Sequence, residues 1–242
     1  MLKKTLALCS LLLVGNNAET SNFQEPLINT SLISSAANYD LEVRFLFLSG
    51  EGSARWQVNE SEESLESNFQ IYPLTDGLFG IDSRFSIVSL HDLTSDGNFQ
   101  LTHYNLSFWQ EERSLEVLLN EDNEIISDCR SLPSANEINC RNIPTHLNYP
   151  DLFLALYQLT EENLDSSLEK NIFYDGINHS ITFNREGTER VNGNRCSVYQ
   201  AEVDFLGSHA DQLYVWLNSE ESFPERIRLV LDNGAYVTLT KN

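Results

Sequence analysis

Residues 226–240 read RIRLVLDNGAYVTLT. Ile227, Leu229 and Leu231 fall on one side of an extended chain, and Ala235, Val237 and Leu239 answer them after Asp232-Asn233-Gly234. Period-two alternation marks a half-buried strand. Asn-Gly tolerates the positive φ angles of a tight hairpin turn, so the stretch predicts two antiparallel strands sharing one apolar face.

Working outward, the same alternation recurs along most of the chain. Leu41, Val43, Phe45 and Phe47 alternate with polar residues, Ser49-Gly50-Glu51-Gly52-Ser53 supplies a turn, and Ala54, Trp56 and Val58 resume the pattern. Glu60 to Glu66 reads as a solvated loop before an extended Phe69 to Tyr72. Segments 85–90 and 99–109 bracket Asp96-Gly97, and 114–119 with 124–128 turn at Asn120 to Asn123. Beyond the middle, 171–174, 180–184, 195–205 and 212–217 read as further strands.

One region has a different period. Pro150-Asp151 suits a helix start, through the fixed φ of proline and the capping oxygen of aspartate, and Leu152, Phe153, Leu156 and Leu159 recur at helical spacing. Thr160 then offers a cap for a second helix carrying Leu164 and Leu168. The expected fold is α+β: a mainly antiparallel, strongly curved or half-barrel sheet of hairpins, with a short helical insertion near 150–170 lying against its apolar face.

The start of the chain has another character. Lys3 and Lys4, an apolar run from Leu6 to Val14 and a small polar stretch ending at Ala18 have the order of a secretion signal, too short for a membrane span. The expected organisation is a signal peptide over 1–18, a polar leader over 19–37 and one β-rich envelope domain over 38–242, with no transmembrane anchor in the mature chain. The formal net charge is -21. So acidic a surface repels phosphate backbones, which argues against nucleic-acid binding. Of the cysteines left after cleavage, Cys129 and Cys140 flank a short segment and are the expected disulfide in an oxidising compartment. Closing that loop is worth about 3 kcal/mol in the chain-entropy model. Cys196 reads as a small core residue.

Catalytic and metal signals are weak. His91, His103, His146, His179 and His209 lack the spacing of a metal site and read as surface or loop residues. Asp92, Thr94, Asp96 and Gly97 echo a calcium loop, but its twelfth position is His103 rather than glutamate, and a hairpin turn accounts for them better. There is no nucleophile elbow, phosphate loop or dinucleotide fingerprint. No catalytic residue, metal or cofactor is therefore expected. Trp109, Tyr199, Tyr214 and Trp216 lie in strands and are the candidates for lining a concave binding site, with ordinary core packing as the alternative.

Several segments resemble a family of uncharacterised bacterial periplasmic proteins, a domain of unknown function. They are, in order, Pro150-Asp151-Leu152, Tyr174-Asp175-Gly176, Gly193 to Tyr199, Val215-Trp216-Leu217 and Phe223-Pro224-Glu225-Arg226-Ile227, with Tyr39 to Ala54 similar to its opening hairpin. That family is similar in outline to envelope lipoprotein carriers, whose curved sheet and helical lid enclose an apolar cavity. The resemblance implies a periplasmic, non-enzymatic protein that binds a lipid or acyl chain. Two alternatives remain: an envelope assembly factor that engages a protein partner through its acidic surface, and an envelope hydrolase.

Overall fold

Alternating sequence becomes strand after strand, each paired with the one before except Leu168–Tyr174, which follows the helix and lies at the opposite end of the sheet from Glu137–Thr145. The computed structural model describes residues 33–45, 48–73, 85–93, 99–108, 111–116, 125–132, 137–145, 149–161, 167–174, 177–203, 211–231 and 234–242. The strands of the first half are β1 (Ile33–Phe45), β2 (Leu48–Glu60), β3 (Ser64–Pro73), β4 (Phe85–Leu93), β5 (Phe99–Phe108), β6 (Glu111–Glu116), β7 (Ile125–Leu132) and β8 (Glu137–Thr145). The helix α1 (Leu152–Glu161) follows, then β9 (Leu168–Tyr174), β10 (Ile177–Val191), β11 (Asn194–Val203), β12 (Asp211–Leu217), β13 (Arg226–Val230) and β14 (Tyr236–Lys241). The fourteen strands among the described residues form one antiparallel sheet in the order β8-β7-β6-β5-β4-β3-β2-β1-β14-β13-β12-β11-β10-β9.

The quoted hairpin is there, with Ile227 opposite Leu239 and Leu229 opposite Val237. Its apolar face continues outward: Leu239 faces Leu41, Ile227 faces Val215, and Val215 faces Tyr199. On the other side Ala37, Trp56, Phe69, Ile87 and Leu106 form another row through successive registers. These rows are the inner face, and they bury as one core.

With a single described helix of ten residues beside fourteen strands, the fold is more strongly β than the α+β class expected. Other expectations need correction. The loop expected over Glu60 to Glu66 shrinks to three residues, because Ser61 accepts from the Ser64 N–H and turns the chain straight into β3. Leu168 belongs to β9 instead of a second helix, and Thr160 lies within α1. Strand β8 was not anticipated, and β1 starts at Ile33, inside the stretch read as leader. Residues 1–32, which carry the expected signal peptide, lie outside the described residues, as do Trp109 and the Asp96-Gly97 turn. No helix among the described residues is long and apolar enough to cross a membrane.

The sheet curls. In a flat sheet β5 and β9, eleven strands inclusive, would stand roughly 48 Å apart at the usual interstrand spacing. Instead Tyr104 on β5 meets Phe173 on β9 edge-on, with ring centroids 5.2 Å apart. The residues that open α1 complete the ring. Phe173 donates its N–H to the Pro150 carbonyl at 2.8 Å, and Asp151 forms a parallel bridge with Phe173. Strands β6 to β8 continue the sheet beyond that seam.

Candidate functional site

The inner face of the curled sheet surrounds α1. Phe153, Leu154, Ala155, Leu156 and Tyr157 are all buried, and five successive residues point in every direction around a helix with 3.6 residues per turn. A helix that is apolar on all sides has to be enclosed. Here the enclosure is the sheet, with α1 in contact with β3 on one side and β9 on the other.

Trp56 is the centre of the packing. Its ring takes edge contacts from Phe153 at 5.4 Å and Phe223 at 5.2 Å, while Phe153 stacks on Phe69 at 4.0 Å. Its indole N–H donates to Ser67 Oγ at 3.1 Å, so the buried polar edge is satisfied. Phe223 comes from the segment between β12 and β13 and packs on both Trp56 and Tyr157. That segment is fixed by Tyr39, which donates its hydroxyl to the Pro224 carbonyl, and by Lys241, whose ammonium lies 2.9 Å from the buried Glu225 carboxylate and 3.0 Å from Glu221. Burial and the Glu225 charge push the Tyr39 phenol well above the ordinary tyrosine range.

A polar cluster interrupts the apolar lining at the seam. Ser89 and His91 follow Ile87 on the inner side of β4, and both are buried against Asp151. The Asp151 carboxylate accepts the Ser89 hydroxyl on one oxygen. Its other oxygen accepts the N–H groups of Phe153 at 2.7 Å and Leu154 at 3.4 Å, the helix cap expected from sequence. The Asp151 N–H donates to His91 Nε2 at 3.3 Å. Burial lowers the His91 ring below the ordinary histidine range, although the Asp151 carboxylate and the Leu65 carbonyl pull it upward. The neutral ring is therefore the resident form, with Nε2 as acceptor. His91 corrects the expectation of surface histidines. The signal for it was legible: Ile87, Ser89 and His91 keep one phase of the alternation, which places polar residues on an inner face.

Serine, histidine and aspartate together invite comparison with a nucleophilic triad. The wiring differs: the serine hydroxyl is bonded to the aspartate, and the histidine acceptor is occupied by a backbone N–H, so no base faces the serine. The cluster joins β4 to α1.

The four aromatic residues singled out from sequence do not converge. Tyr199 is buried in the main core of the inner face. Trp216 belongs to a second, small cluster on the outer face with Val191, Cys196 and Val198, and Tyr214 packs beside it. Trp216 donates its indole N–H to Glu189 at 2.8 Å and lies beneath the Arg226 guanidinium, 5.4 Å from the ring centre. Trp109 is outside the described residues. Among the described residues no group of acidic, histidine and cysteine side chains is placed to hold a metal ion. The register sets Cys129 directly opposite Cys140 in β7 and β8.

No family model matches the chain, and no curated protein does. Among solved structures it is similar to a β-barrel-like protein of the domain of unknown function DUF1849 from Brucella abortus, with a TM-score of 0.55 and 12% identity, covering 88% of this chain and 97% of that one. A putative outer membrane lipoprotein-sorting protein domain from Vibrio parahaemolyticus aligns at a TM-score of 0.30 and 11% identity, over 86% of this chain and 83% of that one. The first likeness is one of fold: an antiparallel sheet rolled into a barrel-like form.

Proposed function

We propose that this protein is a non-enzymatic binding protein of the bacterial cell envelope, which takes an apolar chain such as a lipid or acyl group into the lumen of its curled sheet. One observation carries the reading: the lumen already holds an apolar segment of α1, Phe153 to Tyr157, buried on every side. A ten-residue helix is about 15 Å long and roughly 10 Å across, the scale of a folded acyl chain. Aromatic and aliphatic walls with a few fixed polar groups are the usual lining of such a site. In this reading α1 is a built-in occupant that yields its place to the ligand, held at its first turn by Asp151 and in the middle by Phe153 and Tyr157. The secretion-type leader supports the envelope location.

Native mass spectrometry of protein purified gently from its own cell envelope is the test. An added mass in the lipid range that disappears on denaturation is the expected result. Bare polypeptide, together with no quenching of Trp56 fluorescence by a brominated fatty acid, would overturn the proposal.

A further inference from the structure

The buried cluster at the seam has a property that the apolar lumen does not need: one of its members is a histidine, whose ring ordinarily takes up a proton between about pH 5 and 8 and is held neutral here by burial. His91 has Leu65 opposite it on β3 and Leu101 on β5, with Ser89 beside it on β4, Tyr104 facing Ser89 from β5, and Asp151 in front of it at the start of α1. Asp151 is the charged group in that shell among the described residues. Asp92 is exposed on the outer side of β4, and Glu63 is exposed in the turn between β2 and β3. The ring's second nitrogen, Nδ1, is buried without a hydrogen-bond partner; the Leu65 carbonyl faces the ring, short of normal hydrogen-bond geometry.

Resting on the binding role set out above, we propose that Ser89, His91 and Asp151 form an acid-released latch on α1: a proton taken up at His91 Nε2 removes the acceptor of the Asp151 N–H, frees the start of the helix from β4 and opens the lumen. The neutral ring accepts from that N–H at 3.3 Å, whereas a protonated Nε2 would present a hydrogen to it. The new cation would gain the Asp151 oxygen 3.7 Å away. That oxygen already accepts the Ser89 hydroxyl, and the carboxylate's other oxygen is engaged with two helix N–H groups, so little of its hydrogen-bonding capacity is left. Desolvation of the ring outweighs the attraction, since the net effect of the site favours the neutral form. The cluster also ties Phe173 and β9 to the same point, so its release loosens the ring where the sheet is not closed by its own strands.

Hydrogen exchange of the peptide spanning 150–161, corrected for intrinsic rates, reads the latch directly. Between about pH 7.5 and about pH 5 the local opening constant of α1 is expected to be flat above about pH 6.5, the ordinary histidine value that the ring regains on opening, and below it to rise by up to about tenfold per pH unit, the slope of one linked proton, while amides of β1 and β14 keep their protection. His91→Gln keeps a neutral acceptor and should abolish that slope. If this variant does not fold, the wild-type titration of the His91 ring followed by NMR should track the loss of α1 protection. A flat exchange profile, an equal loss across the central strands, or the same slope in His91→Gln would each overturn the latch. Oleate added at both pH values separates the two ideas: opening without oleate uptake defeats the binding role and leaves the latch standing.

Discussion

The ring of Tyr104 stands edge-on to that of Phe173, 5.2 Å between centroids, although their strands lie at the two ends of an eleven-strand run. The contact exists because the sheet rolls up. A double-mutant cycle with Tyr104→Leu and Phe173→Leu should give a coupling of about 0.5 to 1.5 kcal/mol in urea unfolding, the usual value for an aromatic pair beyond its buried area. Additive losses would mean the seam is open in solution.

Asp151 serves three partners at once: β4 through Ser89, β9 through the bridge to Phe173, and its own helix through the cap. Asp151→Ala removes the cap and strands a buried hydroxyl, so a loss of about 2 to 4 kcal/mol is expected in denaturant titration. Asp151→Asn keeps an oxygen for the helix N–H groups and should lose clearly less.

Phe153 stacks on Phe69 and touches Trp56. Phe153→Ala should lower stability by roughly 3 to 5 kcal/mol and leave an apolar space in the lumen. If that space is the ligand's, the variant binds a fluorescent fatty acid more tightly than the parent while folding less stably. Loss of both stability and binding would place the ligand elsewhere.

Much of this architecture was legible in the residues, and the reason is local. Ile227 to Leu239 alternate around a turn that admits positive φ, and Pro150-Asp151 marks a helix start by chemistry within its own dipeptide. Readings failed where tertiary context decides. Tyr199 pairs with Val215, so Trp216 is one position out of its phase and falls on the opposite face, and only the pairing of the two strands reveals it. The turn at Asn192-Gly193 was a readable signal left unused. Both residues have positive φ, 49° and 90°, and they let β10 run on to Val191 instead of ending at Asn184. The curling of the sheet, and so the enclosure of α1, depends on contacts between residues as far apart as Tyr104 and Phe173, which no window of sequence contains.

Lys241 and Glu225 form a largely buried ion pair where the end of β14 meets the segment before β13. Lys241→Met leaves the Glu225 carboxylate without its cation and should cost about 3 to 5 kcal/mol, most of it restored by adding Glu225→Gln. Burial pulls the Lys241 ammonium down, but its bonds to Glu225 and Glu221 outweigh that and hold its pKa above the ordinary lysine range. The folded state thus keeps a proton that the unfolded chain gives up. This stabilisation is full below about pH 10.4 and is lost as pH rises through the folded value, which thermal melts in alkaline buffers can follow.

Cys129 and Cys140 are register partners in β7 and β8. Antiparallel partners have Cα atoms about 4.5 or 5.5 Å apart, and both spacings fall within the range that a disulfide spans. Protein exposed to oxidised glutathione should therefore be two hydrogens lighter in intact mass, as one disulfide requires, with Cys196 remaining a thiol. Cys196 is buried, and burial and the Glu225 charge push its thiol up, so it should alkylate only on unfolding. Three thiols reacting without reductant would rule the bridge out.

The sheet order places β1 beside β14, so the earliest strand described waits for the latest. Until Tyr236–Lys241 has been made and has reached Arg44 to Tyr39, each half of the molecule is a curved blade with a bare, hydrogen-bond-hungry edge. Clipping the last strand would therefore bare two edges at once, those of β1 and β13, in the middle of the sheet.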